Sequence, residues 1–442
     1  MVRTEQSAAL LSRSSLREVW SKLSAEERVN NFKKLSALDA AAFFAELETH
    51  DQARIILALP IDERRLWLRS LDPDDAADVI QETQEEERQV LLDMLDLVTR
   101  SEVIALLAYA EDEAGGVMNP RYVHVRPDMS VNEAIIYFRK QARTQQETIY
   151  YIYVLDNEQH LVGAISMREL LLASPEQQVQ DVMRTSLITV SENVDQEEVA
   201  NLLSENSLLA LPVVDKDGHM KGVVTVNDVV DVVQEEATED IQKMGGSESL
   251  DAPYLQITVG EMVKKRVGWL TILFIGEMVT ASTMQFYEAE IAKAVVLALF
   301  LPLIISSGGN AGSQASTLVI RAMALGEVRV RDWARVIKRE FITGIALGST
   351  LAIVGLLRVI LWPSASTLYG KYFVSLGFTI AVSVAGVVLW GALVGSFLPF
   401  VLKKAGWDPA SASAPFVATI VDITGLIIYF TVAGFFLRGT ML

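Results

Sequence analysis

The chain of 442 residues contains no cysteine, which excludes disulfide bonds, zinc–thiolate sites and cysteine nucleophiles. Basic residues are also few: 38 Lys and Arg stand against 56 Asp and Glu, a formal net charge of −18. Because an acidic surface repels phosphate backbones, we expect no nucleic-acid partner. Any metal chemistry is expected to use oxygen ligands.

The acidic charge is confined to one part of the chain. Residues 1–260 contain 47 acidic and 23 basic side chains, a balance of −24, whereas residues 261–442 contain 9 and 15, a balance of +6. Charge asymmetry of this kind indicates that the two parts face different environments.

The second part contains five apolar stretches long enough to cross a bilayer. They lie near Trp269–Phe286, Ala294–Arg321, Phe341–Trp362, Val374–Leu402 and Ser411–Leu437. Basic residues cluster before the first stretch, between the second and third, and after the fourth. By the positive-inside rule this predicts a multi-pass membrane domain over 268–442, with the N-terminal part cytoplasmic and the C-terminus outside.

The first 120 residues show helical periodicity. Leu35, Leu38, Ala42 and Phe43 recur at three- and four-residue steps, which predicts an all-α domain over 1–120. Leu38–Leu47 resembles a segment 33 residues further on, which favours stacked helical pairs. The nearby Asp75 and Asp78 are open to two interpretations, favourable placement at a helix start and metal binding.

Residues 121–233 contain a duplication. Val154-Leu-Asp156, Gly163, Ser166 and Glu169 recur 59 residues later as Val213-Val-Asp215, Gly222, Thr225 and Asp228. Each copy predicts helix, strand, polar turn, strand and helix. The pattern resembles a tandem cystathionine-β-synthase (CBS) pair, an α/β regulatory module that often binds adenine nucleotides. The resemblance implies a nucleotide site, with ATP as the candidate, at Tyr151, Arg168 and Glu169.

Acidic residues follow at helical spacing. Asp228, Asp231, Glu235 and Glu239 lie along one face of a predicted helix, within an acidic linker and connecting helix over 234–267. Two interpretations stay open: a divalent-cation switch and a solvated helix face.

The second apolar stretch contains Pro302 and the run Gly308-Gly-Asn310-Ala-Gly-Ser-Gln314. Pro302 lacks the N–H that would bond the carbonyl of Ala298, so we expect a free oxygen there. Gly308 and Gly309 allow close backbone approach, and Asn310 and Gln314 share a helix face. These features favour pore lining over simple helix packing.

The fifth stretch carries a carboxylate, Asp422, about 10 Å beyond Pro415 at 1.5 Å per residue. A charge at that depth is costly unless it is paired or faces water, which favours a passing cation as its partner. The carbonyl of Ala418, one turn earlier, is expected to face the same level. Glu277 in the first stretch either lines the path or pairs with a neighbouring helix.

Taken together, the acidic helical domain, the CBS pair, the five spans, GGNAGSQ and GWDPA…PFVATIVDITG resemble an MgtE-type magnesium channel over essentially the whole chain. The resemblance implies a non-enzymatic homodimer in the bacterial inner membrane, with Asp422 and the Ala418 carbonyl binding hydrated Mg²⁺. It also implies regulatory metal ligands in the cytoplasmic part and at the pore mouth: Asp195, Glu197, Asp228, Asp231, Glu236, Glu239, Asp240 and Asp408.

This resemblance predicts Mg²⁺ uptake that stops when cytoplasmic Mg²⁺ compacts the acidic domain. Two alternatives remain: a proton-coupled divalent-metal transporter that uses Glu277 with Asp422, and a membrane-anchored nucleotide sensor.

Overall fold

The computed structural model describes residues 13–141, 150–250, 254–255, 257–363 and 365–441. The chain folds as two compact units, Met1–Glu235 and Glu236–Leu442. The first unit contains the helices α1 Arg13–Val19, α2 Ala25–Phe32, α3 Ala37–Phe44, α4 Thr49–Ala58, α5 Ile61–Leu68, α6 Pro73–Gln81, α7 Glu85–Leu92, α8 Leu97–Leu106, α9 Val131–Gln141, α10 Met167–Leu172, α11 Val179–Val182, α12 Gln196–Glu205 and α13 Val226–Met244. Helix α13 continues into the second unit.

Helices α2 to α8 begin at intervals of twelve residues. The residue before each start is Ser24, Ser36, Glu48, Pro60, Asp72, Gln84 and Asp96. Alternate helices pack together, α2 on α4, α4 on α6 and α6 on α8, which confirms an all-α N-terminal part of stacked helices. The predicted offset of 33 is wrong: buried Phe43 and Phe44 correspond to Val79 and Ile80, at an offset of 36.

The duplicated region folds as two three-stranded sheets. Strands β1 His124–Val125, β2 Tyr151–Leu155 and β3 Leu161–Ser166 form one, and β4 Val190–Ser191, β5 Ala210–Val214 and β6 Met220–Thr225 the other. In each, the first strand is parallel and the third antiparallel to the central strand. The central strands read as apolar runs because both faces are buried, as in Ile152 and Leu211.

The second unit contains α14 Val259–Phe286, α15 Glu288–Lys293, α16 Leu301–Ala324, α17 Trp333–Ile360, α18 Ala365–Tyr369, α19 Phe373–Lys404 and α20 Ala414–Leu437. Among the described residues, five helical segments are long and apolar enough to cross a membrane: Val259–Phe286, Val295–Ala324, Val330–Ile360, Phe373–Lys404 and Ala414–Leu437. The five predicted spans are thereby confirmed, and residues 259–267 of the predicted linker form the first turns of α14.

Helix α19 is the centre of the membrane unit. It packs against α16, α17 and α20, and its inner face buries Leu376, Ile380, Val384 and Val387. Glycines allow these helices to approach closely: a Cβ added at Gly391 would overlap the carbonyl of Gly308. This packing holds α16 and α20, the two helices with the predicted site residues, side by side.

Candidate functional site

The predicted cation site lies where the glycine run of α16 packs against α20. A Cβ built on Gly309 would be 3.4 Å from Cβ of Ala418 and 3.9 Å from Oδ1 of Asp422. One built on Gly308 would be 2.8 Å from Cγ1 of Val421. The glycine run therefore brings the α16 backbone against the turn of α20 that carries Asp422. In this regular helix the Ala418 carbonyl also accepts the Asp422 N–H, so one oxygen lone pair remains for another ligand.

A second carboxyl group accompanies Asp422. Glu277 on α14 is close enough to share a hydrogen bond with Asp422. Helix α14 can approach because Gly276 lies against Thr419, where an added Cβ would overlap the threonine side chain. This contact pairs Glu277 with the neighbouring helix α20, the second of the two roles considered for it, and adds a carboxyl group to the Asp422 site.

The two amides of α16 share an exposed side of the single chain. Asn310 and Gln314 are exposed, one helical turn apart, and Asn310 Nδ2 donates to Ser306 Oγ at 3.5 Å. Glu277 is exposed as well. Polar groups at membrane depth need protein or water around them, since lipid satisfies none of their hydrogen bonds.

The expectation for Pro302 is wrong in one respect. Pro302 lies in the first turn of α16, after a 3-10 segment over Val295–Phe300. The carbonyl of Ala298 accepts the N–H of Leu301, so the free oxygen expected there is absent. Proline fits because a first-turn N–H has no intrahelical partner to lose.

An ammonium group lies among the acidic residues at the end of α13. Nζ of Lys243 is 2.7 Å from Oδ2 of Asp408 and also pairs with Glu239. Burial lowers the pKa of Lys243, but these partners outweigh it and the pKa is raised. For Asp240, burial and then the charge of Asp408 raise the pKa. We call Glu239, Asp240, Lys243 and Asp408 the Lys243 cluster.

A second acidic group lies in the first unit, around Asp78. Part of the Asp78 side chain is open to solvent, and the rest is packed among neighbouring atoms. This partial desolvation, followed by the charges of Asp75, Glu235, Glu111 and Asp228, raises its pKa. The helix-start interpretation fits Asp75, in the first turn of α6, but not Asp78, which lies in the second turn.

The four remaining residues predicted as regulatory metal ligands lie on or beside α12 and α13. Asp195 caps α12 and accepts the N–H of Glu197 at 2.8 Å. Asp231 and Glu236 lie on α13; the Asp231 side chain is outside the described residues. The structure therefore groups Asp75, Asp78 and Asp228, and separately Glu239, Asp240 and Asp408.

The predicted nucleotide residues lie at one end of the first CBS sheet. Tyr151 pairs in register with Ser166, directly before α10, which carries Arg168 and Glu169. Glu169 accepts from Ser166 and bonds Arg184, with Arg184 Nε to Oε1 at 2.7 Å. In the second copy Asp228 accepts from Thr225 in the same way.

Two members of these sites escaped the sequence interpretation. Lys243 stands one helical turn after Glu239, a spacing typical of ion pairs, and this was the available signal. Glu111 lies in the connection after α8 and joins Asp78 only through the fold.

Comparison with known proteins finds relatives that cover most of the chain. An MgtE intracellular N domain matches residues 11–112, CBS domains match 114–176 and 179–235, and a model described as "MgtE: Divalent cation transporter" matches 301–432. A magnesium transporter MgtE of Thermus thermophilus is 40% identical over 95% of this chain and 92% of its own length. This chain belongs to the MgtE family. The Bacillus subtilis MgtE is 31% identical over 95% of this chain and 91% of its own length.

The MgtE family consists of ion transporters rather than enzymes. Inosine-5'-monophosphate dehydrogenases also match, for example that of Aquifex aeolicus at 32% identity, but over 27% of this chain and 24% of that enzyme. These matches cover the CBS region alone. A solved structure described as the cytosolic domain of the Mg²⁺ channel MgtE in complex with ATP is 39% identical, covers 51% of this chain and 92% of its own, and has a TM-score of 0.47.

Proposed function

We propose that this chain is a Mg²⁺-selective channel for magnesium uptake, closed by high cytoplasmic Mg²⁺. The observation that carries the proposal is Asp422, a carboxylate in a membrane-spanning helix, held against the glycine run of α16. Residues 268–442 supply the pore, 234–267 the coupling segment, and 1–120 and 121–233 the sensor.

The chemistry of the Asp422 site suits magnesium. Mg²⁺ gives up its water reluctantly and is held by few carboxylates, with several waters retained. One Asp422 per chain, with Asn310, Gln314 and the Ala418 carbonyl nearby on the same helices, offers charge and hydrogen-bond acceptors to such a water shell. Rings of carboxylates are a common means of selecting cations in channels.

The functional unit in this proposal is a homodimer. The exposed Asn310, Gln314 and Glu277 belong to membrane-spanning helices and need a cover other than lipid. A second copy related by a two-fold axis provides that cover with the same surface. Two Asp422 side chains near the axis would repel unless a divalent cation lies between them.

We propose that the protein lies in the bacterial inner membrane, with a cytoplasmic N-terminus and an outward C-terminus. The basic residues between the second and third spans and after the fourth support this orientation. Because the chain contains no cysteine, a single cysteine introduced at Lys404 or at Lys371 reports its side by labelling with an impermeant maleimide in intact cells. We expect labelling at residue 371 only.

Gating rests on the two acidic groups. Around Asp78 the carboxylates of Asp75, Glu111, Asp228 and Glu235 repel one another, and Mg²⁺ relieves that repulsion by bridging them. The ion stabilises the compact state because it binds that state more tightly than the loose one. Asp195, Glu197, Glu236 and the three carboxylates of the Lys243 cluster are proposed as further ligands of the closed state.

Current recording from reconstituted protein tests the channel. We expect Mg²⁺ current that falls as Mg²⁺ rises on the cytoplasmic face, and loss of that current in Asp422→Ala but not in Glu288→Ala, a carboxylate on α15. Current that persists in Asp422→Ala contradicts the proposal. Acidification of the liposome lumen in step with uptake would instead favour the proton-coupled alternative.

A nucleotide role is the second candidate. The Ser/Thr-x-x-acid arrangement occurs in both CBS copies, Ser166 with Glu169 and Thr225 with Asp228. We propose ATP binding near Tyr151, Arg168 and Glu169. Binding of a fluorescent ATP analogue to the full chain should be lost in Arg168→Ala and retained in Arg126→Ala. If the chain were instead a membrane-anchored nucleotide sensor without a pore, Asp422→Ala would leave its function intact.

A further inference from the structure

The polar turns of the two CBS copies are joined to each other. They cover Asp156–His160 and Asp215–His219, at corresponding positions of the duplication. The N–H of Leu161 donates to the carbonyl of Gly218 at 3.1 Å, and that of Met220 to the carbonyl of Gln159 at 3.3 Å. His160 and His219 are therefore directly opposite.

The two imidazole rings stack and are held in the same way. Their centroids are 4.4 Å apart and their planes differ by 23°. In each turn Nδ1 lies 3.1 Å from a carboxylate oxygen, Asp156 for His160 and Asp215 for His219. A carboxylate oxygen and an imidazole nitrogen at this separation can bind one metal ion side by side, with the ion in place of the proton between them.

Three side chains of the second turn converge on one point. Asp215, Asp217 and His219 each offer a ligand atom, and these atoms lie within 4.8 Å of one another. The turn itself carries a competing cation, since Nζ of Lys221 is 3.1 Å from Oδ2 of Asp215. The first turn repeats the pattern Asp-x-acid-x-His with Asp156, Glu158 and His160.

We propose that the paired turns bind one divalent transition-metal ion, of the class of Zn²⁺, Co²⁺ or Ni²⁺, through Asp215, Asp217 and His219. Imidazole nitrogen beside carboxylates suits these ions, whereas Mg²⁺ prefers oxygen ligands alone. Such a site is distinct in its ligands from the acidic groups around Asp78 and Lys243.

The stack decides the role of His160. A metal bound to an imidazole lies near the plane of that ring, and two rings stacked almost in parallel do not share one in-plane ion. We therefore assign His160 to positioning the His219 ring, and His219 to the metal. Lys221 opposes the ion, because its ammonium already pairs with Asp215.

Metal titration of the full chain in detergent, with Mg²⁺ present at saturation to fill oxygen-ligand sites, tests this proposal. The probes are Co²⁺, followed by its visible absorption, and Zn²⁺ as competitor. We expect one ion per chain, binding lost in His219→Ala and Asp217→Asn, weakening of about tenfold or more in His160→Ala, and tighter binding in Lys221→Gln.

His124→Ala is the matched control, because it removes a histidine that lies in β1 rather than in either turn. Its binding should equal that of the unchanged protein. Asp217 is an exposed turn residue, so Asp217→Asn tests the ligand set even where a histidine variant unfolds. Absence of Co²⁺ binding at saturating Mg²⁺, or unchanged binding in His219→Ala or Asp217→Asn, overturns the proposal.

Discussion

Nζ of Lys243 lies 2.7 Å from Oδ2 of Asp408, although the two residues are far apart in the chain. The same ammonium pairs with Glu239, and Asp408 also accepts the N–H of Ala410 at 2.8 Å. A built-in cation thus occupies the acidic group that we propose as a regulatory magnesium site. Mg²⁺ has to compete with Lys243 for these carboxylates.

Removing the lysine charge should make closure more sensitive to magnesium. In Lys243→Gln the competitor is absent, so we expect half-maximal closure at a Mg²⁺ concentration lower by a factor of up to about five, the range of a partly exposed ion pair. Current recordings at graded cytoplasmic Mg²⁺ measure this. Lys404→Gln, at the end of α19, serves as control. An unchanged or increased Mg²⁺ requirement in Lys243→Gln contradicts the competition.

The raised pKa of Asp78 makes the stability of the first unit depend on pH. A carboxyl group whose pKa is higher in the folded than in the unfolded chain stabilises the fold below the unfolded value, and this contribution is lost as pH rises through the folded value. Without Mg²⁺ we therefore expect the free energy of unfolding to fall as pH rises above the ordinary range of aspartate. Hydrogen exchange of α6 in the full chain measures it.

Two comparisons isolate Asp78 as the origin. Asp78→Asn should flatten the pH dependence, whereas Asp62→Asn, on the neighbouring α5, should leave it unchanged. Added Mg²⁺ should restore stability at the higher pH, because the ion replaces the missing proton. A pH profile that is the same in Asp78→Asn and in the unchanged chain argues against this role.

The five spans and the CBS pair could be predicted from local sequence patterns. The five spans follow from apolar runs, and the CBS pair follows from two copies in the same order, Val154-Leu-Asp156 and Val213-Val-Asp215. Both signals are contained in short windows of sequence, which is why they required no knowledge of tertiary contacts.

Other features depend on tertiary contacts or on chemically varied positions. The twelve-residue interval between helix starts was not predicted, because the residues that precede the helices share no chemical character. Ser36, Pro60 and Gln84 are examples. The contact of Glu277 with Asp422 joins the first and last spans, so it could not be predicted from residue spacing within either span. Pro302 was misjudged because a 3-10 segment, rather than an α-helix, precedes it.

A buried ion pair stabilises the N-terminal helices. Nη1 of Arg28 is 2.7 and 2.6 Å from the two oxygens of Asp51, Nε1 of Trp20 donates to Oδ2 at 2.6 Å, and both charged side chains are 6% exposed. In Asp51→Ala the guanidinium loses its partner inside the fold, which costs about 3–5 kcal/mol. We expect faster hydrogen exchange in α2 and α4.

The exposed pair of Arg13 and Glu46 provides the control for that measurement. Because water already solvates both groups, Glu46→Ala should leave exchange in α2 and α4 unchanged. Equal effects of the two substitutions would show that burial is not what makes the Arg28–Asp51 pair matter.

Close packing of α16 against its neighbours predicts a strict requirement for glycine at position 312. A Cβ at Gly312 would lie 2.8 Å from Cγ1 of Val417, too close for both to remain in place, and its tight 3.0 Å contact with the carbonyl oxygen of Gly391 leaves little room on the other side. Gly312→Ala should therefore destabilise the membrane unit by about 1–3 kcal/mol, the usual cost of overpacking. Thermal unfolding in detergent measures the loss.

At Gly434 a Cβ would meet nothing within 4 Å, so Gly434→Ala adds the same methyl group to α20 without a clash. Alanine is also the better helix former, and we expect this variant to be as stable as the unchanged chain or slightly more so. Because both substitutions add one methyl group to a membrane helix, the difference between them isolates the helix contact. Equal melting temperatures for the two variants would mean that α16 moves away from α19 and α20 at little cost, and that the Asp422 site is not held as rigidly as the packing at Gly312 indicates.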